Sequence, residues 1–160
     1  MERVKGFTLV ELMIVVALVA ITATIAIPNF NNLIQNNRVQ SQAEDLNALL
    51  QYARSESAIR KRSVTVSIDD VTGEVEVAAG DGTVLRDTTL DLKAINFAAS
   101  HGALTYRPNG TSSVNNFRGL ICRDNNPADG YEITVAGSGS SRISAKGKTV
   151  AGSSLGGCSL

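Results

Sequence analysis

Residues 5–12 read KGFTLVEL and open an apolar run, FTLVELMIVVALVAITATIAI, which occupies residues 7–27 and stops before Pro28. As an α-helix, these 21 residues would extend roughly 32 Å, which is enough to cross the hydrocarbon core of a bilayer. Arg3 and Lys5 precede the run, and basic flanks stay on the cytoplasmic side of a membrane. The sequence therefore predicts a membrane helix with a cytoplasmic N-terminus and an exported C-terminal part.

One carboxylate, Glu11, lies inside this apolar run. A plain membrane anchor gives no reason for it, because a charge at membrane depth is costly and usually marks a function. A secretory signal peptide fits poorly as well, since its apolar stretch is only about 7–15 residues long and ends in a small-residue cleavage site. If the chain were cut after Gly6, Phe7 would carry a new ammonium one helical turn from Glu11. Glu11 would then neutralise this ammonium or that of a neighbouring subunit, which would set the register of an assembly.

A short basic leader ending in Gly6, then FTLVEL and an apolar run ending near Pro28, resembles the class III signal of type IV pilins and pseudopilins. The resemblance implies cleavage between Gly6 and Phe7 by a prepilin peptidase, which would also N-methylate Phe7. It implies that residues 1–6 are a removed leader and that residues 7–28 are kept as the transmembrane and assembly helix. An inner-membrane assembly platform and the membrane lipid are then expected partners.

Residues 29–62 predict an amphipathic continuation of the helix. At 100° per residue, one apolar stripe is expected to pack against the protein's own sheet; it consists of Val39, Ala43, Leu46, Leu49, Leu50 and Ala53. A second patch lies on the opposite side and would face neighbouring subunits or the membrane edge; it consists of Phe30, Leu33 and Ile34. The alternative is one amphipathic helix with irregular first turns.

Two features are expected to shape this helix. Pro28 lacks an N–H group and clashes with a preceding carbonyl, so it should kink or loosen the helix. The cations of residues 60–62 suit a helix C-terminus, so the helix is expected to end there. A DNA-binding patch is the alternative interpretation of these cations, and a solvated helix end is favoured.

From residue 63 to residue 160 the pattern predicts a β-rich head. Val64, Val66 and Ile68 alternate with polar residues, and residues 69–74 predict a turn before a returning strand at 75–77. Further strands are expected at residues 83–92, 94–98, 103–108, 119–123, 131–135 and 142–145, with a turn at 107–113. The predicted fold class is α+β, a pilin-like long N-terminal helix packed on an antiparallel β-sheet head.

The V-x-V-x-I hairpin followed by ALTYRPNGTSS and GLIC resembles the family of FimU and FimT minor pilins and H-type pseudopilins. The resemblance implies a minor pilin that joins a priming complex at the pilus tip with other minor pilins and the major pilin. Its head would lie in the periplasm before assembly and on the cell surface afterwards. Two alternatives stay open: the minor pseudopilin H of a type II secretion system, and a DNA-binding minor pilin for natural transformation.

The two cysteines, Cys122 and Cys158, both lie in the part expected to be exported. An oxidising compartment favours their pairing, and the disulfide would tie down the C-terminal tail. The Gly/Ser-rich tail carries Arg142, Lys146 and Lys148 on a backbone expected to be flexible. These cations are candidates for weak DNA contact, but the tail has no nearby aromatic residue for base stacking, so ordinary surface charge is favoured.

No pattern of residues indicates an enzyme. The net charge is +0, which gives no bulk attraction to nucleic acid. The single histidine, His101, has no motif around it, and no zinc spacing, phosphate loop or nucleophile elbow occurs in the sequence. Four acids at the first hairpin, Asp69, Asp70, Glu74 and Glu76, lack EF-hand spacing and are interpreted as a solvated turn. No metal and no cofactor are therefore expected.

Overall fold

One long helix, α1, runs from Leu9 to Arg60, and strands follow it in the computed structural model. The structure describes residues 7–93 and 95–160, apart from the side chain of Pro28. The strands of this described part are β1 (Val64–Ile68), β2 (Glu74–Ala79), β3 (Val84–Thr89), β4 (Asn96–Ala99), β5 (Ala103–Tyr106), β6 (Phe117–Arg123), β7 (Asn126–Val135) and β8 (Ser141–Ile143). The chain divides into two units, Met1–Gln35 and Asn36–Leu160, and the whole head lies in the second.

The apolar stripe predicted for the second part of α1 is confirmed, because all six of its side chains are buried. Each of them lies three or four residues from another member of the stripe, which keeps them on one side of a helix with 3.6 residues per turn. They share one core with side chains from both sheets of the head. Leu46, for example, is fully buried, and a Cβ atom at Gly119 on β6 would lie 3.9 Å from its Cδ2. Burying one leucine side chain stabilises a fold by about 1.5–3 kcal/mol.

The end of α1 is set by its backbone as well as by charge. Lys61 follows the helix with a positive φ of 52°, and the N–H of Arg62 donates to the carbonyl of Ser57. This is a Schellman motif, in which the left-handed residue is usually glycine and here is lysine. Arg60 pairs with Glu56, and Arg62 pairs with Asp81. The helix, which was expected to end at residues 60–62, ends at Arg60.

The head contains two antiparallel four-stranded sheets, where the sequence predicted one. The first sheet has the order β3-β2-β1-β5 and the second has the order β4-β6-β7-β8. The sheets separate because β5 returns to pair with β1, while β4 pairs with β6 instead of β3. The helix stripe and the inner faces of both sheets enclose the core, so the α+β fold class is confirmed.

The first hairpin owes its shape to Asp69 and Gly73. Oδ1 of Asp69 accepts hydrogen bonds from the N–H groups of Val71 (2.8 Å) and Thr72 (3.1 Å). These backbone donors stabilise the charged carboxylate and lower the pKa of Asp69 below its usual value. Gly73 has a φ of +80°, and a Cβ atom there would lie 2.7 Å from the carbonyl oxygen of Leu90. The carboxylate of Asp69 thus organises the predicted turn.

Two loops of the head, residues 107–111 and 136–140, lie against each other next to α1. The N–H of Ser112 donates to the carbonyl of Gly137 (3.1 Å). Gly110 and Gly139 both have positive φ values, 75° and 80°. A Cβ atom at Gly139 would lie 1.9 Å from the carbonyl oxygen of Gly110. Only glycine therefore allows the two loops to approach this closely.

We expect Gly139→Ala to destabilise the head by about 3 kcal/mol or more, because backbone strain and a clash with backbone act together. Gly82→Ala is the matched control: Gly82 has a similar φ of +84°, but a Cβ atom there would meet nothing within 4 Å. The control should cost only about 1–2 kcal/mol. Thermal unfolding of the full chain in detergent micelles measures both changes, and equal shifts in Tm for the two variants would contradict the role given to the close approach.

Candidate functional site

The first part of α1 presents apolar side chains on every side. Phe7, Leu9 and Ile27 are 89%, 73% and 60% exposed, and the large apolar side chains between them are exposed as well. A globular surface helix would bury one stripe, whereas a helix that is apolar all round belongs in lipid or inside a protein assembly. By length and composition α1 is able to cross a membrane. This segment therefore needs a covering that the head does not supply.

The carboxylate of Glu11 is held by Thr8 at the start of α1. Glu11 Oε2 accepts hydrogen bonds from the Thr8 N–H (2.8 Å) and the Thr8 hydroxyl (2.9 Å), while the Glu11 N–H donates to Thr8 Oγ1 (3.2 Å). This reciprocal arrangement is a capping box, with Thr8 at the N-cap and Glu11 three residues later. It supplies partners for helix N–H groups that have none within the helix. This role of Thr8 was not predicted from the sequence, although the spacing T-x-x-E is its signal.

The predicted pairing of Phe7 with Glu11 stays a prediction. In the uncleaved chain the Phe7 nitrogen belongs to a peptide bond and carries no charge. Gly6, the residue before the predicted cleavage point, lies outside the described residues. The helix passes through Pro28 without a break, and the expected kink there stays a prediction.

The predicted disulfide between Cys122 and Cys158 is present, with the Cα atoms 6.0 Å apart. Leu120 and Leu155 pack with the two cysteines in a second, smaller core. A Cβ atom at Gly130 would lie 2.6 Å from the sulfur of Cys122, so this glycine on β7 leaves room for the disulfide. The C-terminal segment, residues 144–160 after β8, thus covers the outer side of the second sheet.

The Gly/Ser-rich tail was expected to be flexible, and this is wrong at its three cations, Arg142, Lys146 and Lys148, where the backbone or the side chain is paired. Arg142 lies on strand β8, where it pairs with Thr134 of β7. Lys146 forms an ion pair with Asp129 (2.6 Å), and this contact lowers the pKa of the Asp129 carboxyl. Lys148 forms an isolated β-bridge with Ser154. Backbone pairing and one ion pair therefore order the segment, and DNA contact by these residues stays a prediction.

Glu132 is a buried carboxylate that the alternating pattern of β7 did not predict. Its side chain is 5% exposed and forms an ion pair with Arg118 of β6 (2.7 Å). The second carboxylate oxygen accepts a hydrogen bond from the N–H of Val150 (2.7 Å). Alternation along a strand puts Glu132 on the side opposite to Ile133, and Glu132 is buried because the C-terminal segment lies over that side. The predicted disulfide was the one signal in the sequence for such a covering.

The remaining polar candidates lie at the surface of the head. Asp70, Glu74 and Glu76 are exposed around the first hairpin, where the carboxylate of Asp69 serves the turn. No group of metal-ligating side chains occurs among the described residues. His101 is exposed and shares a hydrogen bond with the neighbouring Ser100 hydroxyl (2.9 Å).

Two family models match the chain. The model of the prokaryotic N-terminal methylation motif matches residues 1–27. The model described as Type II transport protein GspH matches residues 42–139, which is more than half of the chain. The chain belongs to the GspH family. The families matched consist of structural components of filaments and secretion machines and are not enzymes.

Solved structures with the same fold come from both kinds of machine. The type IV minor pilin FimU of Pseudomonas aeruginosa strain PAO1 superposes with a TM-score of 0.65 and 23% sequence identity, over 76% of this GspH-family chain and 96% of FimU. The minor pseudopilin EpsH from the Type 2 Secretion System of Vibrio cholerae gives a TM-score of 0.58 and 17% identity, over 69% of this chain and 99% of EpsH. At these identities the likeness shows the fold.

Fimbrial proteins are among the sequence relatives of this chain. A fimbrial protein of Pseudomonas aeruginosa is 43% identical over 67 residues, which is 42% of each chain. The type IV major fimbrial protein FimA of Dichelobacter nodosus is 60% identical over 35 residues, or 22% of each chain. The matches thus span about two-fifths or less of these relatives. Together the findings show membership of the type IV pilin and pseudopilin family, and the methylation motif and apolar helix indicate a membrane-anchored pilin-like chain.

Removing the disulfide with Cys122→Ser and Cys158→Ser should destabilise the head by about 3–4 kcal/mol. The reason is that the bond closes a loop whose two cysteines are 36 residues apart in the sequence. The check is thermal unfolding of the full chain in detergent micelles. Reductant should lower the Tm of the parent to that of the double variant and leave the double variant unchanged. A loss below about 1 kcal/mol would mean that Glu132 and Lys146 hold the C-terminal segment without the bond.

Proposed function

We propose that the chain is a minor pilin that joins a priming complex at the tip of a type IV pilus and initiates pilus assembly. The observation that carries the proposal is its sequence identity to fimbrial proteins, 43% over 67 residues. The apolar first part of α1 is its assembly element. Inner-membrane lipid covers these side chains before assembly, and the helices of neighbouring pilins cover them in the filament.

Processing prepares this helix for its role. The prepilin peptidase removes residues 1–6 and methylates the new N-terminus at Phe7, which leaves a cation at the start of the apolar helix. Glu11, one turn further on, is the carboxylate that balances such a cation. In an apolar environment each charge is stable only when paired, so the pair fixes the axial position of a subunit against its neighbour. The head then selects its neighbours, which are other minor pilins and the major pilin.

The capping box adds a step to this process. Thr8 satisfies the carboxylate of Glu11 within one chain, which lowers the cost of keeping Glu11 at membrane depth before a partner arrives. A charge-assisted hydrogen bond to an ammonium is stronger than one to a neutral donor. The ammonium of a processed neighbour is therefore able to compete with Thr8 for the carboxylate during assembly.

A second candidate is the minor pseudopilin H of a type II secretion system. The match of residues 42–139 to the GspH model supports it, since this match covers most of the head. The fold is shared by FimU and EpsH, so the architecture does not separate the two machines. The match to the GspH model and the identity to fimbrial proteins thus point to different machines, and an experiment in cells separates them.

The deciding experiment is a count of surface pili on cells that lack this gene, with the retraction motor active and with it disabled. A priming role predicts loss of pili that is partly reversed when retraction is disabled, because inefficient initiation then has time to produce filaments. Secreted protein in the culture medium is measured in the same strains. Normal pili with lost secretion would replace the proposal with the pseudopilin function, and normal results in both would reject both.

Substitutions of Glu11 test the charge pair separately from the helix cap. Glu11→Ala should leave cleavage intact and impair incorporation into pili, because it removes both the charge and the cap. Glu11→Gln keeps a capping-box acceptor for Thr8 and removes only the charge, so it should impair incorporation to a similar degree. Immunoblots of sheared pili against whole cells measure both steps. Normal incorporation of Glu11→Gln would assign the residue to the cap instead of the register.

A further inference from the structure

A polar cleft lies on the head between α1 and the two loops at 107–111 and 136–140. Its volume is about 650 Å³, large enough for two or three side chains of another molecule. The polar lining side chains are Gln51, Arg54, Ser55, Asn109, Ser140 and Ser141. No carboxylate lines it among the described residues. The lining thus combines one cation with neutral hydrogen-bonding groups.

Arg54 is a half-buried cation at this cleft. Its Nε donates to the carbonyl of Gly110 (3.1 Å) and one Nη donates to the carbonyl of Ser138 (3.2 Å). These bonds join the two loops to the helix, but carbonyl oxygens do not neutralise the charge. In the part of the chain that the structure describes, none of the ion pairs includes Arg54. A guanidinium has five N–H donors, so Arg54 retains donors and a positive charge without a carboxylate partner.

Ser141 gives a second, independent observation at the cleft. Its hydroxyl oxygen is buried and has no hydrogen-bond partner among the described residues. Buried polar atoms without partners are uncommon in native proteins, and each calls for a reason. The hydroxyl lies in a lining residue of the same cleft as Arg54. A ligand that accepts hydrogen bonds would supply a partner to Arg54 directly. It would supply one to the Ser141 hydroxyl after rotation of that side chain into the cleft, because the oxygen is closed to solvent in this structure.

We propose that this cleft binds a carboxylate side chain from an acidic segment of a partner subunit. Arginine donors match the two oxygens of a carboxylate, and the serine and amide groups suit the neighbouring peptide bonds. A nucleic-acid backbone fits less well, because its regularly spaced phosphates need several cations and the cleft has one. The inference rests on the proposed function only for the identity of the partner as another subunit.

The experiment is an NMR titration of the ¹⁵N-labelled full chain in detergent micelles. The probe is the acidic peptide acetyl-Glu-Asp-Gly-amide, and acetyl-Gln-Asn-Gly-amide is its neutral match. The acidic peptide should shift the Nε–H resonance of Arg54 and the amide resonance of Ser141 in a saturable manner. The neutral peptide should bind at least about tenfold more weakly, as expected for the loss of a charge-assisted hydrogen bond. Equal binding of the two peptides would overturn the proposal.

Variants separate the site from general surface charge. Arg54→Gln should abolish the shifts at Ser141. Ser141→Ala removes a hydroxyl that has no partner, so it should keep the Tm of the parent and weaken binding several-fold. Arg142→Gln, which removes an exposed arginine next to Ser141 on strand β8, should leave binding unchanged. If Arg54→Gln lowers the Tm, Ser141→Ala still decides the matter, and full affinity in that variant would contradict the proposal.

Three further outcomes have different consequences. A short DNA duplex that shifts the Arg54 resonance when the acidic peptide does not would overturn the choice of a protein partner. Peptide binding together with normal pili in the deletion strain would reject the priming role while the carboxylate site stands. Pilus loss together with no peptide binding would reject the site alone.

Discussion

The structure depends on one helix whose two parts need different environments. From Leu9 to Ile27 its large apolar side chains are exposed on all sides, whereas from Val39 to Ala53 one stripe of apolar side chains is buried in the head. The first pattern is stable only in lipid or among other helices, and the second needs a sheet surface in water. Because both patterns occur on one continuous helix, the same element that organises the core of the head also carries the apolar segment that other subunits or lipid must cover.

The head closes around the second part of this helix by contacts that are far apart in the sequence. Arg54 joins loops that are more than 50 residues further along the chain, and Ser57 donates to the carbonyl of Arg107 (3.0 Å). Tyr52 contributes its ring to a cation–π contact with Arg86 of β3, at 5.7 Å. The two sheets and their loops are therefore each attached to α1 by polar contacts at the edge of the apolar core.

Local patterns in the sequence predicted the elements of this fold but not their pairing. The stripe on α1 and the hairpin at residues 69–74 follow from periods of 3.6 and two residues and from turn chemistry, so they were predicted correctly. The division into two sheets depends on whether β4 pairs with β3 or with β6, and no local pattern encodes that choice. Arg54 was missed for the same reason, since an arginine on a helix gives no sign of which distant carbonyls it will meet. The methylation motif, in contrast, is local, and a family model of this motif matches residues 1–27.

The C-terminal segment shows how a long-range constraint changes the meaning of a local pattern. Gly/Ser-rich sequence favours flexibility because each residue loses much conformational entropy when it is ordered. Here the disulfide, the Lys146–Asp129 ion pair and the bond from Val150 to Glu132 each restrain the segment at a different point. Once one end is covalently fixed, the chain between the fixed points has fewer conformations to lose, so weak contacts suffice to order the rest. The buried Glu132 is then tolerable because its two oxygens receive an arginine and a backbone N–H, which replace the water that the segment excludes.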